Sequence, residues 1–249
     1  EYLPAPGVVH AVQIDNDPTR IGLRYPVEVG LVGDSQRTLK ELMPLLEHKE
    51  DQSFLVEIQK KIEAWRAGIK QAGTQTGGSL RPENVAWELG EFLPSDSLVA
   101  CDSGMVTAWW ARYIPAKEGQ MHVFSGNLAV PGSSLPYAIA AQVAYPIRPC
   151  VAFTGSAEIA SLLGEFFTCV HYNLPIKVIL LNHLGSEKPI DALVDRTGGN
   201  LLEAGIDFAA FAEACGGVGF TIREAAEICP ALEAAFASPL PAILDFQLS

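Results

Sequence analysis

Basic residues are scarce in this chain. Across 249 residues there are 17 Lys and Arg against 29 Asp and Glu, a formal net charge of −12. A nucleic-acid partner is therefore not expected, because phosphate binding needs a basic face. No stretch reaches the roughly 18 consecutive apolar residues that a membrane helix requires, so no membrane partner is expected. No basic start followed by an apolar run marks a signal peptide. No Cys-x-x-Cys pair occurs, and the five cysteines, Cys101, Cys150, Cys169, Cys215 and Cys229, are scattered and odd in number. That pattern excludes a disulfide framework and predicts reduced thiols in a cytoplasmic protein. Internal repeats and low-complexity tracts are also lacking. The chain starts at Glu1 in place of Met, which leads to the expectation of a trimmed or processed chain.

What is abundant is hydrophobic sequence, at 49% of residues, enough for a sizeable core. Residues 8–15 alternate and are rich in β-branched side chains, so they predict a strand. A second short strand is predicted over 27–32, and a helix over 35–46 capped by Asp34 or Ser35. This N-terminal piece is too small to fold alone. An amphipathic helix is predicted over 50–72, with Phe54, Ile58, Ile62, Trp65 and Ile69 at helical spacing. AGTQTGGSL then reads as a flexible linker.

From Leu80 onward strands alternate with helices. Helices are predicted at LRPENVAWELGEFL, MVTAWWARYI, SLPYAIAAQVAY, IASLLGEFFTCVHY, FAAFAEACGG and PALEAAFAS. Strands are predicted at SLVACDSG, HVFSG, PCVAFTGS, PIKVILLNH, 219–222 and AILDFQL. The strands are continuous apolar runs, as expected where both sheet faces are covered. The fold class is therefore α/β, a doubly wound parallel sheet preceded by a strand, loop, strand and helix piece.

In such a sheet, ligands bind beyond the carboxyl ends of the strands. Three strand ends carry informative residues: Cys101-Asp102-Ser103-Gly104, Thr154-Gly155-Ser156-Ala157-Glu158 and Asn182-His183-Leu184-Gly185. Small residues at strand-to-helix turns free backbone N–H groups for a phosphate or diphosphate. They also serve purely steric ends, so each turn alone is a weak signal.

Read together, these stretches resemble a known family. VQIDNDPTRIGLRYPVEVGLVGD, CDSGMVTAWWARYIP, SGNLAVPGSSLPYAIAAQVAYPIRP and EFFTCVHYNLPIKVILLN are each similar to parts of thiamine-diphosphate-dependent enzymes of the pyruvate oxidase and acetolactate synthase type, in the family's order and spacing. The resemblance implies the thiamine-diphosphate-binding fold. It places residues 1–47 as the C-terminal part of a middle domain, 48–80 as helix and linker, and 81–249 as the diphosphate-binding domain. It implies thiamine diphosphate with Mg²⁺ as cofactors, with Asp102, Ser103, Gly104, Ser134, Leu135, Gly155, Ser156 and Ala157 at cofactor-binding positions. FAD is not expected in this fragment, although Asp15-Asn16-Asp17-Pro18 is similar to a stretch that meets flavin in oxidase relatives.

By the same resemblance, Ser156, His183 and Gly185 hold the metal positions, in degenerate form. The family motif is Gly-Asp-Gly followed further on by Asn-Asn, and this chain has Gly155-Ser156-Ala157 and Asn182-His183. Ser156 offers a neutral hydroxyl where the family has a carboxylate, and hard cations prefer anionic oxygen. Pro131 stands where the family has an apolar wedge, and Ser134 replaces a glycine. The activating glutamate of the family lies in an N-terminal pyrimidine-binding domain, to which nothing here corresponds, so the catalytic residues are unassigned. Two functions follow from the resemblance. One is a domain or subunit of a 2-keto acid decarboxylating enzyme, inactive alone and completed by a homo-oligomer or a partner chain. The other is a non-catalytic regulatory or oligomerisation partner that no longer binds the cofactor.

Overall fold

A computed structural model describes residues 3–75, 77–183 and 206–248. The chain divides into two compact units, 1–61 and 62–249.

In the first unit, β1 (Val12–Asp15) and β2 (Val29–Val32) pair in parallel, Val12 opposite Val29 and Asp15 opposite Val32. α1 (Ser35–Leu42) follows, and the Asp34 carboxylate caps it by accepting from the Arg37 N–H at 2.9 Å. The predicted helix over 35–46 is shorter than expected, because Pro44 turns residues Met43–Leu45 into a tighter 3₁₀ turn. None of the described residues in this unit is buried, and Val8, Leu23, Val32, Leu45 and Phe54 are exposed apolar side chains. Parallel strands normally have both faces covered. This piece therefore has the secondary structure of an α/β layer without a core of its own.

α2 (Ser53–Thr74) runs from one unit into the other. The start of the Gly- and Thr-rich stretch, at the end of this helix, is pinned. Asn84 Nδ2 donates to the carbonyls of Gly73 at 2.8 Å and Gln75 at 3.2 Å, and Arg81 donates to the Ala72 carbonyl. Leu80 is buried.

The second unit holds α3 (Pro82–Phe92), β3 (Leu98–Cys101), α4 (Met105–Tyr113), β4 (Met121–Phe124), α5 (Ser134–Ala144), β5 (Cys150–Gly155), α6 (Ser156–Ala160), α7 (Glu165–His171) and β6 (Lys177–His183). After residues 184–205 come α8 (Phe208–Ala214), β7 (Val218–Ile222), α9 (Ile228–Ala237) and β8 (Ala242–Leu248). The six strands are all parallel, in the order β4-β3-β5-β6-β8-β7.

Alternation within each strand builds two cores. Val99, Cys101, Val151, Phe153, Ile179 and Leu181 face α3, α4 and α9. Their neighbours Leu98, Ala100, Cys150, Ala152, Val178 and Leu180 face α5, α7 and α8. Strand side chains alternate between faces, so an apolar run buried on both sides must be covered by helices on both sides. The doubly wound α/β sheet predicted from the sequence is what forms. Each large side chain so buried contributes about 1.5–3 kcal/mol relative to exposure.

One predicted helix is broken. Residues 159–172 form not one helix but the end of α6 and then α7, with a turn at 161–164 between them. Trp109 and Trp110 are half-buried against the first core, and Tyr113 lies within it. Trp110 Nε1 donates to His122 Nδ1 on β4 at 3.0 Å. No described helix is long and apolar enough to cross a membrane.

Candidate functional site

The strand order locates a crevice. From β3 the chain crosses to β4 on one side, and from β5 it crosses to β6 on the other. The carboxyl ends of β3 and β5 are therefore the switch point of the sheet, where connections diverge and leave room for a ligand. Asp102-Ser103-Gly104 and Gly155-Ser156-Ala157 lie at those two ends.

Asp102 ties the crevice together. Its side chain is fully buried. Oδ1 accepts the Ser103 N–H at 3.0 Å, and Oδ2 accepts the hydroxyls of Ser134 at 3.0 Å and Thr154 at 2.9 Å. The Thr107 hydroxyl donates to the Asp102 carbonyl at 2.7 Å. One carboxyl group thus joins the end of β3, the end of β5 and the first residue of α5. Burial of such a group is tolerable only when its oxygens are satisfied, and three donors do that here.

Three glycines converge on one further residue, Glu158. Gly104 caps α4 with φ +101°, a left-handed conformation that favours glycine, and no side chain caps that helix end. A Cβ on Gly104 would stand 2.7 Å from Glu158 Oε1, and a Cβ on Gly155 would overlap Glu158 Oε2. Gly132, with φ +80°, is held so close that a Cβ there would meet the Glu158 carbonyl at 2.9 Å and Ser161 Oγ at 2.8 Å. Glu158 is the third residue of α6 and half-exposed. A carboxylate there is favoured by the partial positive charge of helix N-termini.

Of the residues singled out from sequence, Asp102, Ser103, Ser134, Leu135, Gly155 and Ser156 are buried about this crevice, while Gly104 and Ala157 lie on its exposed side. Ala157 sits in an ordinary helical position and is not among the residues with positive φ. The register places Leu181 opposite Gly155, so Asn182 and His183 follow on the neighbouring strand. Asn182 is directed sideways, its Nδ2 donating to Asp245 Oδ1 on β8 at 2.9 Å. Gly185 lies outside the described residues. Among those described, no group of three His, Cys, Asp or Glu side chains gathers that could alone hold a metal ion.

Sequence reasoning named Glu158 and Thr154 only as neighbours of the turn. Thr154 carried no local signal, because its role depends on a carboxyl group 52 residues away. Glu158 did carry one: an acidic residue three positions after a strand-ending glycine reaches back towards the turn.

The electrostatics of the crevice are negative. Burial pushes the Cys101 thiol up, and the neighbouring Asp102 and, more weakly, Glu158 carboxylates add to the effect. On the neighbouring strand β8 the buried Asp245 carboxyl is also raised, first by burial, against the bonds from Asn182 and Gln247.

The chain's sequence from 102 to 246 matches the family model described as thiamine pyrophosphate enzyme, C-terminal TPP binding domain. YdaP of Bacillus subtilis, named as a thiamine pyrophosphate-containing protein, is 36% identical over the full length of this chain. The acetolactate synthase large subunit of Haemophilus influenzae is 29% identical over 95% of the chain. The acetolactate synthase isozyme 3 large subunit of Escherichia coli is 29% identical over 92% of it. The chain spans 43%, 42% and 40% of these relatives' own lengths, respectively. With the family match beginning at Asp102 itself and running into β8, the chain belongs to the thiamine pyrophosphate enzyme family and carries its C-terminal TPP binding domain.

Proposed function

We propose that the chain forms the diphosphate-binding side of a thiamine-diphosphate enzyme of the pyruvate oxidase or acetolactate synthase type, acting on a 2-keto acid. The observation that carries this reading is the Asp102 junction. It holds the ends of β3 and β5 and the start of α5 around a crevice bordered by Gly104, Gly132 and Gly155. Backbone at such glycines approaches a phosphate closely, where a Cβ would stand in the way. The cofactor supplies carbanion-stabilising thiazolium chemistry when bound. The residues of this chain bind and orient. Asp102 fixes the spacing of the turns, Ser103, Gly104 and Gly155 border the diphosphate, and Leu135 packs beneath.

In this reading residues 1–47 are the end of a middle domain, 48–80 a connecting helix and linker, and 81–249 the diphosphate domain. That no described residue of the first unit is buried supports that division. The activating glutamate comes from a pyrimidine-binding domain elsewhere in a longer polypeptide or in a partner chain. The exposed edge of β4, with Met121, Val123 and Phe124 uncovered, favours a homo-oligomer or such a partner. Mg²⁺ and a cytoplasmic setting complete the proposal.

Calorimetric titration with thiamine diphosphate and Mg²⁺ tests it. Binding in the micromolar range is expected, and no binding at millimolar cofactor overturns it. That second result would favour a non-catalytic regulatory or oligomerisation role, a reading drawn from Ser156 and His183 at the positions where relatives carry oxygen ligands.

A further inference from the structure

β4 lies at the edge of the sheet and pairs only with β3. His122 on β4 stands opposite Val99, on the sheet face that carries α4. Its ring lies 5.7 Å from that of Trp110 on α4, and Trp110 also meets Phe124 at 5.4 Å. All three side chains are partly open to solvent.

One assignment of protons fits every polar contact of this ring. Gln120 Nε2 donates to the Pro94 carbonyl at 2.8 Å, which fixes the other end of the amide as an acceptor. That oxygen, Oε1, accepts the Lys117 N–H at 2.9 Å and lies 3.1 Å from His122 Nε2. Nε2 therefore carries a proton. On the other side Trp110 Nε1 donates to His122 Nδ1 at 3.0 Å. An indole N–H can only donate, so Nδ1 carries none. The ring is held neutral, in the tautomer that its two partners dictate. An added proton has only Nδ1 to go to. Two N–H groups would then face each other, and the bond to α4 would be lost while the bond to Gln120 stayed.

The charged side chains of the neighbouring segments are Arg112 on α4, Glu91 on α3, Lys117 and Glu118 before β4, Asp96 before β3 and Arg148 before β5. The Lys117 ammonium donates to the carbonyls of Glu91 and Leu93, and the Arg148 guanidinium to those of Asp96 and Gly119. Among the described residues no ion pair involves His122. Burial lowers its pKa from the ordinary 6.5. The stability it contributes is therefore present above 6.5 and is lost as pH falls through the lower folded value.

We propose that His122 is a pH-sensitive latch, which ties the edge strand β4 to α4 through Trp110 when neutral and releases Trp110 when protonated. The strand so released leads straight into residues 125–133, which bring Gly132 to the crevice.

The test uses ¹⁵N-labelled tryptophan and histidine in the whole polypeptide that contains this chain, followed by NMR from about pH 7.5 to about pH 5. The Trp110 indole resonance is assigned by its loss in Trp110→Phe. It should hold a hydrogen-bonded shift at neutral pH and move in a one-proton step with its midpoint below 6.5. At neutral pH the His122 ring should show a bare Nδ1 and a protonated Nε2. In His122→Asn an amide oxygen can take the place of Nδ1 and does not titrate, so the Trp110 resonance should stay constant across the range. The opposite tautomer in the parent would overturn the proposal without recourse to any variant. So would a Trp110 resonance that does not move in the parent, or one that moves with the same midpoint in His122→Asn.

Discussion

Asp102 and Asp245 are both fully buried carboxyl groups, and their surroundings set different consequences. Asp102→Ala would leave two hydroxyls and one backbone N–H without their acceptor. Each such loss costs about 1–3 kcal/mol. A drop in unfolding free energy of about 3 kcal/mol is expected in urea denaturation, with Asp102→Asn costing less because its amide oxygen still accepts. Asp245 is raised above its usual 3.8, chiefly by burial. The folded chain therefore keeps a proton that the unfolded chain gives up. Its contribution to stability is fully present below 3.8 and is lost as pH rises through the folded value. Asp245→Asn should remove that loss, read as a flatter urea midpoint between acid and neutral pH.

At the scale of elements, glycine positions separate backbone crowding from side-chain crowding. Gly219 lies within β7, where α8 passes so closely that a Cβ would overlap the Ala209 carbonyl. Backbone cannot step aside there, so Gly219→Ala should destabilise by about 3 kcal/mol or part β7 from α8. At Gly155 the obstacle is the end of the Glu158 side chain, which can swing away. Gly155→Ala should therefore cost under about 1 kcal/mol while displacing the carboxylate, and comparing the two melting curves checks the difference. The helix predicted as one over residues 159–172 shows why element limits escape a sequence reading. Ile159, Leu162, Leu163 and Phe166 keep an apolar period through the turn at 161–164. Periodicity reports which face is buried, not whether the backbone turns on the way.

For the whole molecule, alkaline pH sets opposing groups against each other. Lys177 is buried at the start of β6, its Nζ donating to the carbonyls of Ser238 at 2.9 Å and Leu240 at 2.6 Å. Burial pushes it down to about 8 from the usual 10.5. Between those values the unfolded chain binds a proton that the folded chain lacks, so this group makes stability rise with pH. Burial pushes Cys150 and Cys169 up to about 12, from an ordinary 9.0. The unfolded thiols ionise first, so each makes stability fall as pH rises from 9.0 towards 12. Two such thiols, joined by Cys101, outweigh one lysine. A net fall in the urea midpoint above about pH 9 is expected, and Cys150→Ala should reduce its slope.

Much of this protein follows from local sequence. Continuous apolar runs such as Val178 to Leu181 have no polar face to turn towards water, so they become strands covered on both sides. The spacing of Leu135, Ala138 and their neighbours makes a helix to cover them. These are preferences of short segments, and a short segment carries them wherever it sits. The crevice is another matter. Asp102, Ser134 and Thr154 meet only because β3 and β5 lie side by side while their crossovers part. Glu158 is one more helical carboxylate until Gly104 and Gly155 leave space for its oxygens. Where the linker-like composition begins, Asn84 and Arg81 capture the carbonyls of Ala72, Gly73 and Gln75. Sequence by itself determined the strands, the helices and the kind of sheet, through patterns of hydrophobic burial. Tertiary structure alone decided which carboxylate is locked inside and which lies at the rim of the crevice, because hydrogen-bond partners and steric room are supplied by segments far apart in the chain.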